Sequence, residues 1–154
     1  MDGAALSRLL PPDAVATGVP APDWPAAVRA AGDLLVSTGA VTVDYVERMC
    51  RTVRTYGPYI VVSPGLALAH ARPDSSVLRT GWSWAGLAAP VAFGHPAHDP
   101  VRVVVGLAGA TRDEHCALLA SLAALLDSPE RLAALSAATP ERVRALVGAY
   151  EMAV

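Results

Sequence analysis

Two histidines, each placed after an apolar segment, are the residues of this 154-residue sequence best suited to chemistry. His70 ends the run YIVVSPGLALAH, and His115 lies in TRDEHCALL, shortly after VRVVVGLA. A neutral imidazole is a nucleophile near neutral pH, so one ring could take up a phosphoryl group while the other hydrogen-bonds to it. Each also has a simpler interpretation: His70 packed at a sheet edge and bonded to a backbone carbonyl, and His115 exposed on a helix.

The segments around the histidines predict how the chain positions them. Residues 59–69 are typical of two short strands separated by the turn Ser63-Pro64-Gly65, because proline cannot donate to a strand ladder. His70 then lies at a strand end, and His115 falls in the first turn of a helix, where the amide groups and the helix dipole favour an anion. Loops at the same ends of neighbouring strands converge in layered α/β domains, so we expect the two histidines to meet.

Strand and helix signals alternate along the rest of the chain. Strands are predicted at residues 14–19, within 77–87 and at 101–108, and helices at 24–38, 43–56, from 111 to Ser128-Pro129, at 129–137 and at 140–149. Residues 90–100 are predicted as a loop. This alternation favours a single α/β domain over residues 1–154, with helices covering a sheet. Residues 1–12 are expected to form either a flexible end or a short helix.

Composition and charge exclude several classes of protein. The sequence is 53% hydrophobic with only 5% aromatic residues, which indicates a core of small aliphatic side chains. All basic residues are arginines, and a net charge of −2 with interspersed signs leaves no basic face for nucleic acid. The uncharged stretch 80–96 is interrupted by glycines and prolines, so it is not typical of a membrane-spanning segment. The sequence predicts a cytoplasmic protein.

Three further constellations have a chemical and a structural interpretation. His95 and His98 with Asp99 could ligate a metal only from a suitably folded loop, and solvated loop histidines are favoured, so no metal is predicted. Cys116 adjoins His115, but successive helical residues point about 100° apart, so core packing is favoured over a cysteine nucleophile. Cys50 and Cys116 have the spacing of reduced thiols rather than of a disulfide framework.

The order and spacing of several motifs resemble a known family. DYVERM, GPYIVVSPGLALAHARP, APVAFGHPAHDPV, LAGATRDEHCALLASLAALLD and RLAALSAATPERV resemble the enzyme IIA domains of the mannitol/fructose class of the bacterial sugar phosphotransferase system. Within this class, the Gly-Pro-Tyr opening and His-x-Arg-Pro ending of the second motif look most like the ascorbate-type enzyme IIA. The resemblance covers nearly the whole chain, and it implies a three-layer α/β/α sandwich with a mixed central sheet.

The resemblance also implies roles for individual residues. His70 matches the histidine that accepts a phosphoryl group from the phosphocarrier protein HPr and passes it to a cysteine of enzyme IIB. His115 matches a second histidine that stabilises the phosphate, with Arg72 and Ser63 as phosphate- or partner-binding residues. No cofactor or metal is implied, and the membrane enzyme IIC is an indirect partner. In this sequence Ala69 replaces the usual proline before the active histidine.

One arginine of the mannitol-type members has no direct counterpart in the sequence. Its position on the preceding helix falls near Thr52; Arg51 and Arg54 are candidates to substitute for it, and the role stays open.

Two other functions stay open at this point. A regulatory binding module of the same fold could use its phosphorylation state to control a transporter or a transcription factor. A structural α/β domain without chemistry would leave the order of motifs unexplained. The first 22 residues are either a flexible end or a homodimer contact, and the transported sugar is not encoded in residues that touch only proteins.

Overall fold

One mixed sheet of five strands forms the centre of the protein. In the computed structural model, which describes residues 6–153, the strands are β1 (Val15–Val19), β2 (Val61–Ser63), β3 (Leu66–Ala69), β4 (Gly81–Val91) and β5 (Val101–Ala108). Their order across the sheet is β1-β4-β5-β3-β2. β3 and β5 are parallel, with Ala69 opposite Gly106 as their last pair, while β4 runs antiparallel to β5. The parallel pair therefore ends at one edge of the sheet.

Within residues 6–153, five α-helices cover the two faces of this sheet. They are α1 (Trp24–Ser37), α2 (Val43–Tyr56), α3 (Arg112–Leu126), α4 (Pro129–Ser136) and α5 (Pro140–Met152), and a short 3-10 turn spans Pro12–Ala14. α1 and α2 bury their apolar residues with one face of the sheet, and α3, α4 and α5 bury theirs with the other. The predicted three-layer α/β/α sandwich with a mixed sheet is confirmed.

Strand β3 is buried on both faces of the sheet. Leu66 and Leu68 of β3 contribute to the core beneath α3, while Ala67 and Ala69 contribute to the core beneath α1 and α2. The sequence of a strand that is covered on both sides is a continuous apolar run rather than an alternation of apolar and polar residues. The sequence LALA of β3 is such a continuous run. The side facing α1 and α2 is built from small side chains, so these helices can approach the sheet closely.

Most helix bounds follow local sequence signals. The side chains of Asp23, Thr111 and Thr139 each accept a hydrogen bond from the backbone N–H three residues later, as N-caps do. Thr42 occupies the N-cap position of α2 without a capping bond from its side chain. The predicted bounds of α2 and β5 are confirmed at both ends.

The prediction for β4 was wrong at its C-terminal end. The strand begins at Gly81, within the predicted region 77–87, but it continues to Val91, through Pro90, which was predicted to begin a loop. The register between β4 and β5 shifts between Gly86 and Val91, where Val91 pairs with Val101. Proline is tolerated there because the ladder is interrupted by this irregularity and Pro90 need not donate a hydrogen bond.

The start of the described chain packs against β4. Residues 6–10 form a turn, and the Trp82 side chain donates to Leu6 O at 2.8 Å while its backbone N–H donates to Leu9 O at 3.1 Å. This part of the predicted flexible end is thus a packed turn, and residues 1–5 lie outside the described residues. Along residues 6–153, no helix combines the length and apolar character needed to cross a membrane.

The contact between α1 and α2 depends on the absence of a side chain at Gly32. A Cβ atom there would lie 2.7 Å from Val46 Cγ1, whereas a Cβ at Gly148 of α5 would meet nothing within 4 Å. We expect Gly32→Ala to lower the free energy of unfolding by about 1–3 kcal/mol through overpacking. Gly148→Ala should raise it by about 0.4–1 kcal/mol. Denaturant unfolding of both variants checks this, and a stabilised Gly32→Ala protein would contradict the packing.

Candidate active site

His70 follows directly on the last residue of β3, and its ring is oriented by the strand itself. Its Nδ1 lies 2.8 Å from the backbone oxygen of Leu68. A carbonyl oxygen can only accept, so Nδ1 carries the proton and donates it, and Nε2 of the neutral ring keeps a free electron pair. A histidine with only a structural role would make the same hydrogen bond to a carbonyl oxygen. Here this bond also leaves the electron pair of Nε2 free to act as a nucleophile.

His115 meets His70 as the sequence predicts. It lies in the first turn of α3, and the two ring centroids are 5.4 Å apart with an interplanar angle of 54°. Both residues are half-buried. Among the described residues, the buried Nδ1 of His115 has no hydrogen-bond partner. A group bound to His70 would therefore find the imidazole of His115 beside it.

Gly109 makes this approach of α3 to the end of β5 possible. A Cβ atom at Gly109 would lie 2.3 Å from Cα and 2.4 Å from N of His115, so no other residue fits without moving the first turn of α3. Thr80 fixes the same turn, since its hydroxyl accepts from Ala110 N at 3.0 Å and donates to the carboxylate of Glu114. The position of His115 is thus set by backbone packing.

Burial keeps both rings neutral. Desolvation lowers the pKa of His70 below the ordinary histidine value of 6.5, and the bond to Leu68 opposes this shift only in part. The pKa of His115 is lowered first by desolvation and then by repulsion from His70. Both shifts favour the unprotonated form, which is the form with a nucleophilic nitrogen.

The surroundings of the two rings are open to solvent on one side. Tyr59 packs edge-on against His70 with a centroid distance of 5.9 Å, and 46% of its surface is exposed. The exposed Arg72 and Arg112 line a shallow depression together with His115. Both arginines therefore border the same depression as His115, and Arg112 is a candidate that the sequence did not suggest.

The loop after His70 is anchored to α2 by a charged pair. Arg48 Nη1 lies 3.1 Å from Asp74 Oδ1, and Asp74 also accepts from the backbone N–H of Ser76 at 2.8 Å. Hydrogen bonds from Ser76, and then the charge of Arg48, lower the pKa of the Asp74 carboxyl, although partial desolvation opposes them. The carboxylate is therefore ionised near neutral pH and holds the loop that carries Arg72.

Arg51 and Arg54 of α2, the two candidates for the missing arginine, make no hydrogen bond or ion pair with His70 or His115 among the described residues, and their role stays a prediction. Arg51 is exposed, and the guanidinium of Arg54 lies over the ring of Trp24, 5.7 Å from its centroid. A third arginine of α2, Arg48, contacts the loop after His70 through its ion pair with Asp74. The sequence pattern could not show this, because it does not give the direction in which an arginine side chain extends.

Ser63, predicted to bind phosphate or a partner, is not brought to the histidines. It pairs with Leu66 at the start of β3, and the four residues from there to His70 extend about 13 Å at 3.3 Å per residue. Ser63 instead lines an apolar cleft with Arg102 and Leu132, at the far end of the strand. Proximity in sequence was misleading here because the strand carries the two residues to opposite edges of the sheet.

The other residues that the sequence suggested for chemistry, His95, His98 and Cys116, are not part of the His70–His115 pair. His95 and His98 stack with centroids 4.6 Å apart, and Nδ1 of His95 accepts backbone N–H bonds from Ala97 and His98, so this ring supports the loop. Within residues 6–153, no three histidine, cysteine or acidic side chains cluster as metal ligands would. Cys116 is exposed, so its predicted core packing was wrong.

We expect Gly109→Ala to separate the two histidines, because the added methyl group must displace the first turn of α3. In the wild-type protein, nuclear Overhauser contacts should connect the ring protons of His70 and His115, which follow from the 5.4 Å centroid distance. These contacts should weaken or disappear in Gly109→Ala and persist in Gly148→Ala, where a methyl group meets no neighbour. Unchanged contacts in Gly109→Ala would contradict the packing argument.

Titration of the two rings gives a second prediction. Both should titrate below pH 6.5 in histidine NMR spectra, because burial disfavours their charged forms. His70→Gln should raise the pKa of His115, since it removes the repulsive part of the shift. His98→Gln, a histidine at the other end of β3, should leave it unchanged. A pKa of His115 that stays constant or falls in His70→Gln would show that the rings are not coupled.

Comparison with known proteins places this geometry in a family. A family model described as "Phosphoenolpyruvate-dependent sugar phosphotransferase system, EIIA 2" matches residues 8–149. SgcA of Escherichia coli K12, named as a phosphotransferase IIA component, is 35% identical over 128 residues, which cover 82% of this chain and 90% of SgcA. The ascorbate-specific PTS system EIIA component of the same organism is 37% identical over 92 residues, 60% of each chain.

Two solved structures of enzyme IIA proteins from Escherichia coli share this fold. The mannitol-specific cryptic phosphotransferase enzyme IIA CmtB superposes with a TM-score of 0.84 at 27% identity, covering 94% of this chain and 99% of CmtB. Mannitol enzyme IIA in complex with phosphorylated enzyme IIB superposes with a TM-score of 0.78 at 25% identity, covering 89% of this chain and 95% of that one. EIIA components are phosphotransferases. The chain therefore belongs to the EIIA 2 family of the phosphoenolpyruvate-dependent sugar phosphotransferase system.

Proposed function

We propose that this protein relays a phosphoryl group through His70, taking it from phosphorylated HPr and passing it to a cysteine of a cognate enzyme IIB. The observation that carries the proposal is the bond from Nδ1 of His70 to Leu68 O at 2.8 Å, which leaves Nε2 free beside His115. The family supports a phosphoryl-relay role, and the residues and donor are our assignment.

In the first step, the electron pair of Nε2 bonds to phosphorus while the bond from phosphorus to HPr breaks and leaves its pair on the carrier. The proton on Nδ1 stays in place throughout, held by Leu68 O. The phosphorylated ring is thus protonated on one nitrogen and phosphorylated on the other. In the second step, the cysteine sulfur attacks phosphorus, and His70 leaves as a neutral imidazole, which is a good leaving group.

Residues around His70 would stabilise the charge of the group in transfer. His115 can donate a hydrogen bond to a phosphoryl oxygen, and Arg72 and Arg112 supply positive charge from the rim of the shallow depression. The protein contributes position and electrostatics, and the chemistry requires neither a metal nor a cofactor.

The partners follow from the same site. The mannitol relative has been solved with phosphorylated enzyme IIB, which supports an enzyme IIB as the acceptor. An open surface around His70 and the partly exposed Tyr59 suits two partners that dock in turn through small, transient interfaces. The ascorbate-specific relative favours ascorbate or a related sugar as the transported substrate, with enzyme IIC as an indirect partner in the membrane. The relay would operate in the cytoplasm, where phosphoenolpyruvate is produced.

The direct test is phosphoryl uptake from phosphoenolpyruvate through enzyme I and HPr, with protein analysed under alkaline conditions that preserve phosphohistidine. We expect one phosphate on the wild-type protein and none on His70→Gln, because the glutamine amide is not a nucleophile. His98→Gln is the matched control and should accept phosphate like the wild type, since His98 lies at the other end of β3.

Two results would count against the relay. Phosphate uptake by His70→Gln at the wild-type rate would move the acceptor to another residue. Uptake on His70 without onward transfer to any enzyme IIB cysteine would favour the regulatory binding module instead.

A further inference from the structure

The hydroxyl group of Tyr45 connects the two strand ends that carry the histidines. Tyr45 belongs to α2 and is completely buried. Its hydroxyl accepts a hydrogen bond from Ala71 N at 3.0 Å and donates to Leu107 O at 2.7 Å, with Ala71 O also within 3.1 Å. One side chain from the helical layer is therefore bonded to the backbone of two separate segments of the sheet.

These bonds begin where the sheet ladder ends. The last backbone pair between β3 and β5 joins Ala69 to Gly106. Ala71 lies one residue beyond His70, and Leu107 lies two residues before Gly109, which admits the first turn of α3. The hydroxyl thus continues the connection between the strands past their last pair, at the level of the reacting rings.

We propose that Tyr45 is a positioning residue for phosphoryl transfer, whose hydroxyl fixes the orientation of His70 and its distance from His115. The inference rests on the proposed relay at His70. It concerns the hydroxyl group alone, because a phenylalanine ring would fill the same buried space.

The environment keeps this hydroxyl a donor at all relevant pH values. Burial raises the pKa of Tyr45 to about 12, although the bond with Ala71 and the nearby charge of Arg48 act in the other direction. Arg48 lies over the Tyr45 ring, 5.9 Å from its centroid, and also pairs with Asp74. α2 therefore holds the segment after His70 at two successive points, one neutral and one charged.

The proposal predicts a defect in chemistry rather than in docking. Without the hydroxyl, Ala71 N and Leu107 O lose a buried partner, and the segment carrying His70 can shift relative to α3. Displacements of about 1 Å can cost a hundredfold in rate, so we expect kcat for uptake from HPr to fall about tenfold to a hundredfold in Tyr45→Phe. The KM for HPr should stay near the wild-type value, since the exposed surface is unchanged.

A spectroscopic readout separates positioning from stability. In wild-type protein, imidazole ¹⁵N spectra should show His70 as a single tautomer protonated on Nδ1, as its bond to Leu68 requires. In Tyr45→Phe the signals should move towards a mixture of tautomers, and the Ala71 amide should exchange faster. Tyr150→Phe, which removes a hydroxyl from α5 on the other face of the sheet, should change neither signal.

Two further variants control for a loss of stability. Val147→Ala removes two methyl groups from a fully buried position in α5 and should lower stability while leaving the kcat of uptake at the wild-type value. Tyr45→Phe can also be measured in the Gly148→Ala background, which should offset part of its destabilisation.

The outcomes distinguish this inference from the relay itself. Wild-type kcat and an unchanged His70 tautomer in Tyr45→Phe would overturn the role of Tyr45 and leave the relay intact. If the wild-type protein takes up no phosphate, the relay fails, and the tautomer and amide-exchange measurements still decide whether Tyr45 orients His70.

Discussion

The hydrogen bond from Nδ1 of His70 to the carbonyl of Leu68 is the interaction on which the site depends. A histidine two residues beyond a strand carbonyl is held in one tautomer by a hydrogen bond to that carbonyl, as long as the two stay in register. This leaves a single nitrogen with a free electron pair, and in the proposed relay the Nδ1 proton stays in place while phosphorus is bound and released. The strand therefore positions the ring and, in the proposed relay, determines which atom reacts.

The rest of the fold holds that strand in place from both sides. β3 is buried under two helical layers, and its parallel neighbour β5 ends at the same edge of the sheet. Gly109 lets α3 bring His115 to that edge, and Tyr45 and Arg48 of α2 reach the segment after His70. A core packed on both faces of the sheet thus supports a histidine that is only half-buried.

Much of this could be predicted from the sequence, because its signals are local. The caps of α1, α3 and α5 and the apolar runs of β3 and β5, broken in β5 only by Arg102, each follow from neighbouring residues. The convergence of His70 and His115 also followed, since strand ends at one edge of a sheet meet.

The missed features depend on contacts between segments far apart in sequence. Gly109 excludes a side chain only because the backbone of His115 lies against it, and the partners of the Tyr45 hydroxyl are 26 and 62 residues away. Composition and spacing also do not show that Ser63 and His70 lie at opposite ends of β3. A buried tyrosine usually bonds its hydroxyl to a partner, so the one available signal was a tyrosine in the first turn of the predicted helix 43–56.

The measurement that tests the central claim most directly is NMR assignment of the phosphorylated nitrogen, after uptake from phosphoenolpyruvate through enzyme I and HPr. The structure predicts phosphate on Nε2 of His70, with Nδ1 still protonated and bonded to Leu68 O. Phosphate on Nδ1 of His70, or on His115, would contradict the proposed role of the strand in selecting the reacting atom.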